Sequence, residues 1–148
     1  MTSAAAIRTV RSVCREPEVG FLALRMACWI VLVSALVRIC SIPRVFRLVT
    51  PVSGGFFTCE IRMTPARLAA VLDRMLVTNV AAFTPTCWKR AAILYRYLRL
   101  AGHEPQIVFG FPRADVSRLT AHAWVELDGH PVCEATRPDC VVVYRFPR

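Results

Sequence analysis

The chain is almost without lysine: Lys89 is the single one, and every other basic residue is arginine. It also lacks a CxxC pair, a glycine-rich phosphate loop, any block of five or more like charges and any low-complexity tract. Each absence excludes something. Without a phosphate loop no segment here binds ATP, so any ATP dependence has to come from another protein. Without a charge block or interleaved stacking aromatics, the net charge of +9 from 19 basic and 10 acidic residues reads as a solvated, arginine-biased surface. A nucleic-acid partner is therefore not expected. The seven cysteines (Cys14, Cys28, Cys40, Cys59, Cys87, Cys133 and Cys140) are odd in number and irregularly spaced. That argues against a zinc ribbon and against a full disulfide framework. Most are expected as small buried side chains in a reducing cytoplasm.

An uncharged run of membrane-spanning length is missing too. The most apolar uncharged stretch is Met26 to Val37, "MACWIVLVSALV", bounded by Arg25 and Arg38. Twelve residues of helix cover about 18 Å, short of the ~30 Å hydrocarbon layer. No small-x-small cleavage pattern follows it. The stretch reads as a core helix, with peripheral contact to a membrane or a partner through residues 20–41 as the alternative.

What is present is a foldable chain: 148 residues, 55% hydrophobic and 20% charged, enough for one domain with a modest core. Residues 1–18 are polar, with Pro17 as a stop, and are expected to be poorly ordered. Residues 19–148 are expected to form a single domain, with a helical part over 19–63 and a core over 64–148. Residues 20–41 read as one helix ended by Pro43, and 49–59 as a loop. Thr64-Pro65 opens a second helix, striped by Leu68, Val71, Leu72, Met75 and Leu76 and ending near Asn79. A third starts at "TPTCWKRAAILYRYLRLAGHE", capped by Thr84 or Thr86 and stopped by Gly102. Its apolar stripe is Ala91, Leu94, Tyr95 and Leu98, with Lys89, Arg90, Arg96 and Arg99 largely off it. The period then switches: 106–111, 121–127, 131–134 and 141–146 read as strands, with Asp128-Gly129 as a hairpin turn. Helices followed by an antiparallel sheet predict an α+β domain.

Cys87 stands apart from the other cysteines by its address. It lies in the first turn of a helix, where unpaired backbone N–H groups and the helix dipole favour a thiolate and can hold an oxyanion. Trp88 is placed to wall such a site. A nucleophilic cysteine needs a base. His122 is the one histidine inside a strand, whereas His103 follows a helix stop and His130 a turn. A third group should orient the imidazole. A two-residue turn at Asp128-Gly129 sets Ala135 opposite His122. A three-residue loop with Gly129 as a bulge sets Glu134 there instead. Asp139 is the reserve acid. The competing readings are packing roles for both residues, and a metal site from Cys87, His122 and Cys133 whose spacing matches no standard ligand pattern.

The stretch "CWKRAAILYRYLRLAGHEPQIVFGF", a variable loop and then "AHAWVELDGHPVCE" resemble the transglutaminase-like cysteine peptidases of lasso-peptide biosynthesis. These are the stand-alone protease halves of the B maturation protein, related to the microcin-processing enzyme. The resemblance covers residues 64–146. It implies a catalytic-cysteine helix packed on an antiparallel sheet, with Cys87 as nucleophile, His122 as general base and Glu134 as the acid. Aspartate is common in that last position, so glutamate is a departure. It further implies that the substrate is a ribosomal precursor peptide, whose leader is removed in a bacterial cytoplasm. A separate leader-binding protein presents the precursor, and a separate ATP-dependent cyclase closes the ring. No cofactor or metal is implied. The alternatives are another acyl transferase or amidase on the same core, and a non-catalytic peptide-binding subunit.

Overall fold

A computed structural model describes residues 17–51, 63–76, 86–113, 121–134 and 139–147. Among these, four helices precede and support a four-stranded antiparallel sheet, so the α+β arrangement expected from the pattern is the one found. Helix α1 spans Pro17–Leu36 and buries Val19, Leu22, Met26, Ile30 and Val33, which recur at three- and four-residue spacing. Helix α2 spans Ile42–Val49 and buries Val45, Phe46 and Val49.

The expected single helix over 20–41 is thus divided. Pro17 begins the helix instead of stopping the segment before it, and Pro43 lies in the first turn of α2 instead of ending α1. Both prolines occupy first-turn positions, where the missing N–H has no intrahelical partner to lose. The break itself falls after Leu36, where the Cys40 N–H donates to the Leu36 carbonyl at 2.7 Å and Ser41 takes up extended dihedrals as the cap of α2. The poorly ordered start expected for residues 1–18 falls mostly outside the described residues, but Pro17 and Glu18 are helical.

Helix α3 spans Pro65–Leu76, with the Thr64 hydroxyl accepting from the Arg67 N–H at 3.3 Å. Its expected extension to Asn79 lies outside the described residues. Helix α4 spans Cys87–Leu100 and is the centre of the molecule, burying Ala91, Ala92, Ile93, Leu94, Tyr95, Tyr97 and Leu98 on more than one side. It packs against α1, α2 and α3 and, on the other side, against the sheet. Thr86 is its cap by backbone geometry, and Gly102, at φ +85°, ends it where a side chain would be strained.

Arg96 of α4 fastens the first two helices to it. Its guanidinium lies 3.7 Å from the Trp29 ring centroid on α1, and its Nη1 donates to the Val49 carbonyl at the end of α2 at 2.7 Å. Burial holds the Arg96 pKa below its ordinary value. Phe46 meets Phe109 and Phe146 at ring distances of 5.7 and 5.6 Å, which joins α2 to the sheet.

The strands are β1 (Gln106–Pro112), β2 (His122–Leu127), β3 (His130–Pro131) and β4 (Cys140–Phe146), in the order β3-β2-β1-β4. Ala123 and Val125 of β2 belong to the helix-side core. By strand alternation His122, Trp124 and Glu126 share the opposite face. Trp124 is buried there and donates from Nε1 to the buried Glu126 carboxylate at 2.9 Å, and Arg145 of β4 donates to the same carboxylate at 2.6 Å. Gly110 sits at the irregularity in the β1–β4 pairing, directly opposite His122.

Two expectations follow. A methyl at Gly110 would lie 2.8 Å from the Cys140 Cβ, 2.9 Å from the Val141 carbonyl oxygen and 3.0 Å from the Trp124 ring. Two of these three neighbours cannot rotate away, so Gly110→Ala should cost about 1–3 kcal/mol in urea denaturation. The Tyr97 hydroxyl is buried without a hydrogen-bond partner among the described residues, and burial pushes its pKa up to about 12 from 10.0. The unfolded phenol ionises first, so this contribution to stability is complete below pH 10 and is lost as pH rises towards about 12. Tyr97→Phe should be within about 1 kcal/mol of wild type, or more stable, at pH 8. It should also flatten the alkaline fall, measured by denaturation at a series of pH values.

Candidate active site

Cys87 is the first residue of α4, and the intrahelical ladder begins with the Arg90 N–H donating to the Thr86 carbonyl at 3.1 Å. The thiol is thus set at the positive end of a helix, where negative charge is stabilised. Its Sγ lies 3.8 Å from the carbonyl oxygen of Ala121, the residue immediately before His122. The start of the helix and the start of β2 are therefore brought together, as α4 packs across β2. Trp88 is half-buried against the core, with the Lys89 ammonium 6.0 Å from its ring centroid.

His122 opens β2 with its side chain 37% exposed, so the imidazole is open to a substrate. Its ring stacks on Trp124, two residues on and on the same face, at 5.8 Å and 19°. Nε2 lies 4.0 Å from Glu134 Oε2. That exceeds a hydrogen bond but leaves the carboxylate close enough to orient the ring.

Glu134 arrives by a route that differs from the one expected. Asp128 and Gly129 both have positive φ, 50° and 78°, and Leu127 pairs with His130. This is the two-residue hairpin turn, whose twist matches that of the strands, and not the three-residue loop with a bulge at Gly129. Continued regularly, it would set Ala135 opposite His122. The ladder instead stops after the Val132 N–H donates to the Val125 carbonyl at 2.8 Å. Cys133 then takes φ 55°, and this left-handed step redirects Glu134 towards the imidazole. The change of direction thus comes late in the return strand and not at its turn.

The residue that sequence reasoning missed is Arg90. Its Nε donates to Asp73 Oδ1 at 2.7 Å and its Nη2 to Asp73 Oδ2 at 3.1 Å, a two-pronged pair with α3. Nη1 donates to Glu134 Oε1 at 3.1 Å and Nη2 also reaches the Cys133 carbonyl at 3.4 Å. The hydrogen bond to Asp73 raises the Arg90 pKa despite burial, and the charge of Glu134 adds to it. The one local signal was position: Arg90 lies three residues after Cys87 and so on the same side of the helix.

Asp139 does not join this group. Its carboxylate is 81% exposed and pairs with Arg113 Nε at 3.4 Å. Among the described residues no three of His, Cys, Asp and Glu lie so as to hold a metal ion, and Cys87, His122 and Cys133 do not form such a set. Cys28, Cys40, Cys87, Cys133 and Cys140 are all free thiols, and Cys28 and Cys133 are exposed, contrary to the expectation of mostly buried cysteines.

A thiol at a helix start, an imidazole at the adjoining strand start and a carboxylate tethered behind it are thus grouped at one end of α4 on an α+β core. Residues 30–144 match the transglutaminase-like superfamily, and the chain belongs to that superfamily. Its members commonly carry cysteine peptidase or acyltransferase activity. No curated protein and no solved structure matches the chain.

Arg90→Gln should lower stability by about 1–3 kcal/mol, because it leaves the Asp73 and Glu134 carboxylates short of their charged donor. Chemical denaturation measures this. Asp73→Asn keeps the contact with one weaker acceptor and should cost less.

Proposed function

We propose that this protein is a cysteine peptidase that removes the leader from a ribosomally made lasso-peptide precursor. The observation that carries the reading is the joining of Cys87 to the start of β2 and of His122 to Glu134, in a chain whose "CWKRAAILYRYLRLAGHEPQIVFGF" and "AHAWVELDGHPVCE" segments resemble that group of enzymes.

In this reading His122 takes the Cys87 thiol proton and the sulfur attacks the carbonyl carbon at the leader–core junction. Backbone N–H groups at the start of α4 stabilise the developing oxyanion. The C–N bond breaks, and His122 returns the proton to the departing amine, which becomes the N-terminus of the core peptide. The leader is left as a thioester on Cys87. His122 then takes a proton from water, the hydroxide attacks the thioester, and the leader leaves as a carboxylic acid with the thiol restored. Glu134, held by Arg90, orients the imidazole and balances its positive charge.

The proposal includes a separate leader-binding protein that presents the precursor, and a separate ATP-dependent cyclase that uses the freed amine. Both belong with the peptidase in the bacterial cytoplasm. A second reading, acyl transfer to an amine, rests on superfamily membership, since the same three residues serve it and only the acceptor differs.

Incubating the protein with a precursor and its presenter, and weighing the products, separates the two. Leader released as a free acid supports the peptidase; leader carrying an added amine supports the transferase. Cys87→Ala should lower cleavage by at least about a thousandfold while leaving the fold intact. Cleavage by that variant at the wild-type rate would sink the assignment.

A further inference from the structure

We propose that the outer face of α1, with the segment that follows it through α2, rests on the surface of a bilayer rich in anionic lipid. Helix α1 is apolar on both sides. Its inner stripe is locked into the core by Met26, Ile30 and Val33, none of which is exposed at all. Its outer stripe presents Phe21, Leu24, Val31 and Leu32, with Phe21 and Leu24 60% and 62% exposed. A helix that is hydrophobic all round is normally covered all round. Residues Glu18–Leu36 are long and apolar enough to cross a membrane by length and composition, but the buried inner stripe keeps the helix on the domain and leaves only one face for lipid. The apolar surface continues past the helix end, through Ile39 at 80% exposure, Ile42 and Leu48.

Charge identifies the occupant. Arg38, Arg44 and Arg47 are exposed among these apolar side chains, and Arg25 flanks the outer stripe with its guanidinium 5.8 Å from the Phe21 ring centroid. Glu18 is the only acid in residues 17–51, and Arg8, Arg11 and Arg15 lie just upstream in sequence. Apolar side chains flanked by arginines match an interface of acyl chains beneath anionic headgroups. A protein partner would have to supply both an apolar groove and an acidic rim. The inference stands on surfaces away from Cys87 and does not depend on the peptidase reading.

The test is co-sedimentation of the full chain with phosphatidylcholine vesicles, with and without phosphatidylglycerol. At low salt the anionic vesicles should bind the protein at least about tenfold more tightly, since each surface arginine adds to the attraction. Raised salt should weaken that binding. Leu24→Glu with Leu32→Glu changes two exposed positions and should abolish binding without lowering the thermal midpoint. Arg44→Gln with Arg47→Gln should reduce the preference for anionic lipid and serves if the first pair fails to fold. Absence of binding, equal binding to neutral vesicles, or unchanged binding by both variants would overturn the proposal. So would a dimer in light scattering that the same substitutions dissolve, which would make a second copy the cover.

Discussion

The guanidinium of Arg90 gathers three separate parts of the chain. Its fork holds Asp73 on α3, and its remaining reach goes to the Glu134 side chain and the Cys133 carbonyl beyond the hairpin. The arginine itself rides on α4, three residues after Cys87. The helix that presents the thiol and the segment that presents the acid are therefore fixed relative to each other by one planar group with several donors. With its side chain only 18% exposed, the arginine works where water competes weakly for those bonds. Without it, two carboxylates would face each other across a partly buried gap.

His122 is held from a second direction by the sheet. Trp124 packs beneath its ring, Glu126 receives the indole N–H, and Arg145 of β4 closes on Glu126. This is a chain of contacts along one sheet face. Gly110 makes room for it, since any side chain opposite His122 would strike Trp124 and β4. The imidazole is thus set by packing along β2 and only then oriented by Glu134. The imidazole therefore has a packing support from Trp124 as well as a charged neighbour in Glu134.

Local chemistry made much of this legible. The Thr86-Cys87 helix start, the Gly102 stop and the switch to period two after it were readable, because caps and alternation act over a few residues. So were the addresses of Cys87 in a first helical turn and of His122 in a strand. The end of α1 at Leu36 was not, because Met26 to Val37 is apolar on every side and carries no periodic break. Pro17 and Pro43 were read as stops, although proline fits a first helical turn as well as it ends a helix. The role of Arg90 was hidden because its partners lie 17 residues upstream and 44 downstream. Nothing in periodicity links such distances; only the packing of α3 and the hairpin against α4 does.

In the proposed site glutamate stands where the resembled enzymes commonly have aspartate, and the same constraint accounts for it. A longer side chain has one more rotatable bond and, left alone, points less reliably at an imidazole. Here Oε1 is committed to Arg90 at 3.1 Å, which removes that freedom and leaves Oε2 for His122. The backbone also needs the reach. Cys133, in the left-handed region, turns the chain out of the β2 ladder before position 134, so the acid starts from outside the regular cross-strand position. A shorter aspartate there would have to choose between the arginine that fixes it and the imidazole it serves. The extra methylene and the Arg90 tether are therefore one device: the first spans the distance that the Cys133 step creates, and the second restores the direction that the extra bond would lose.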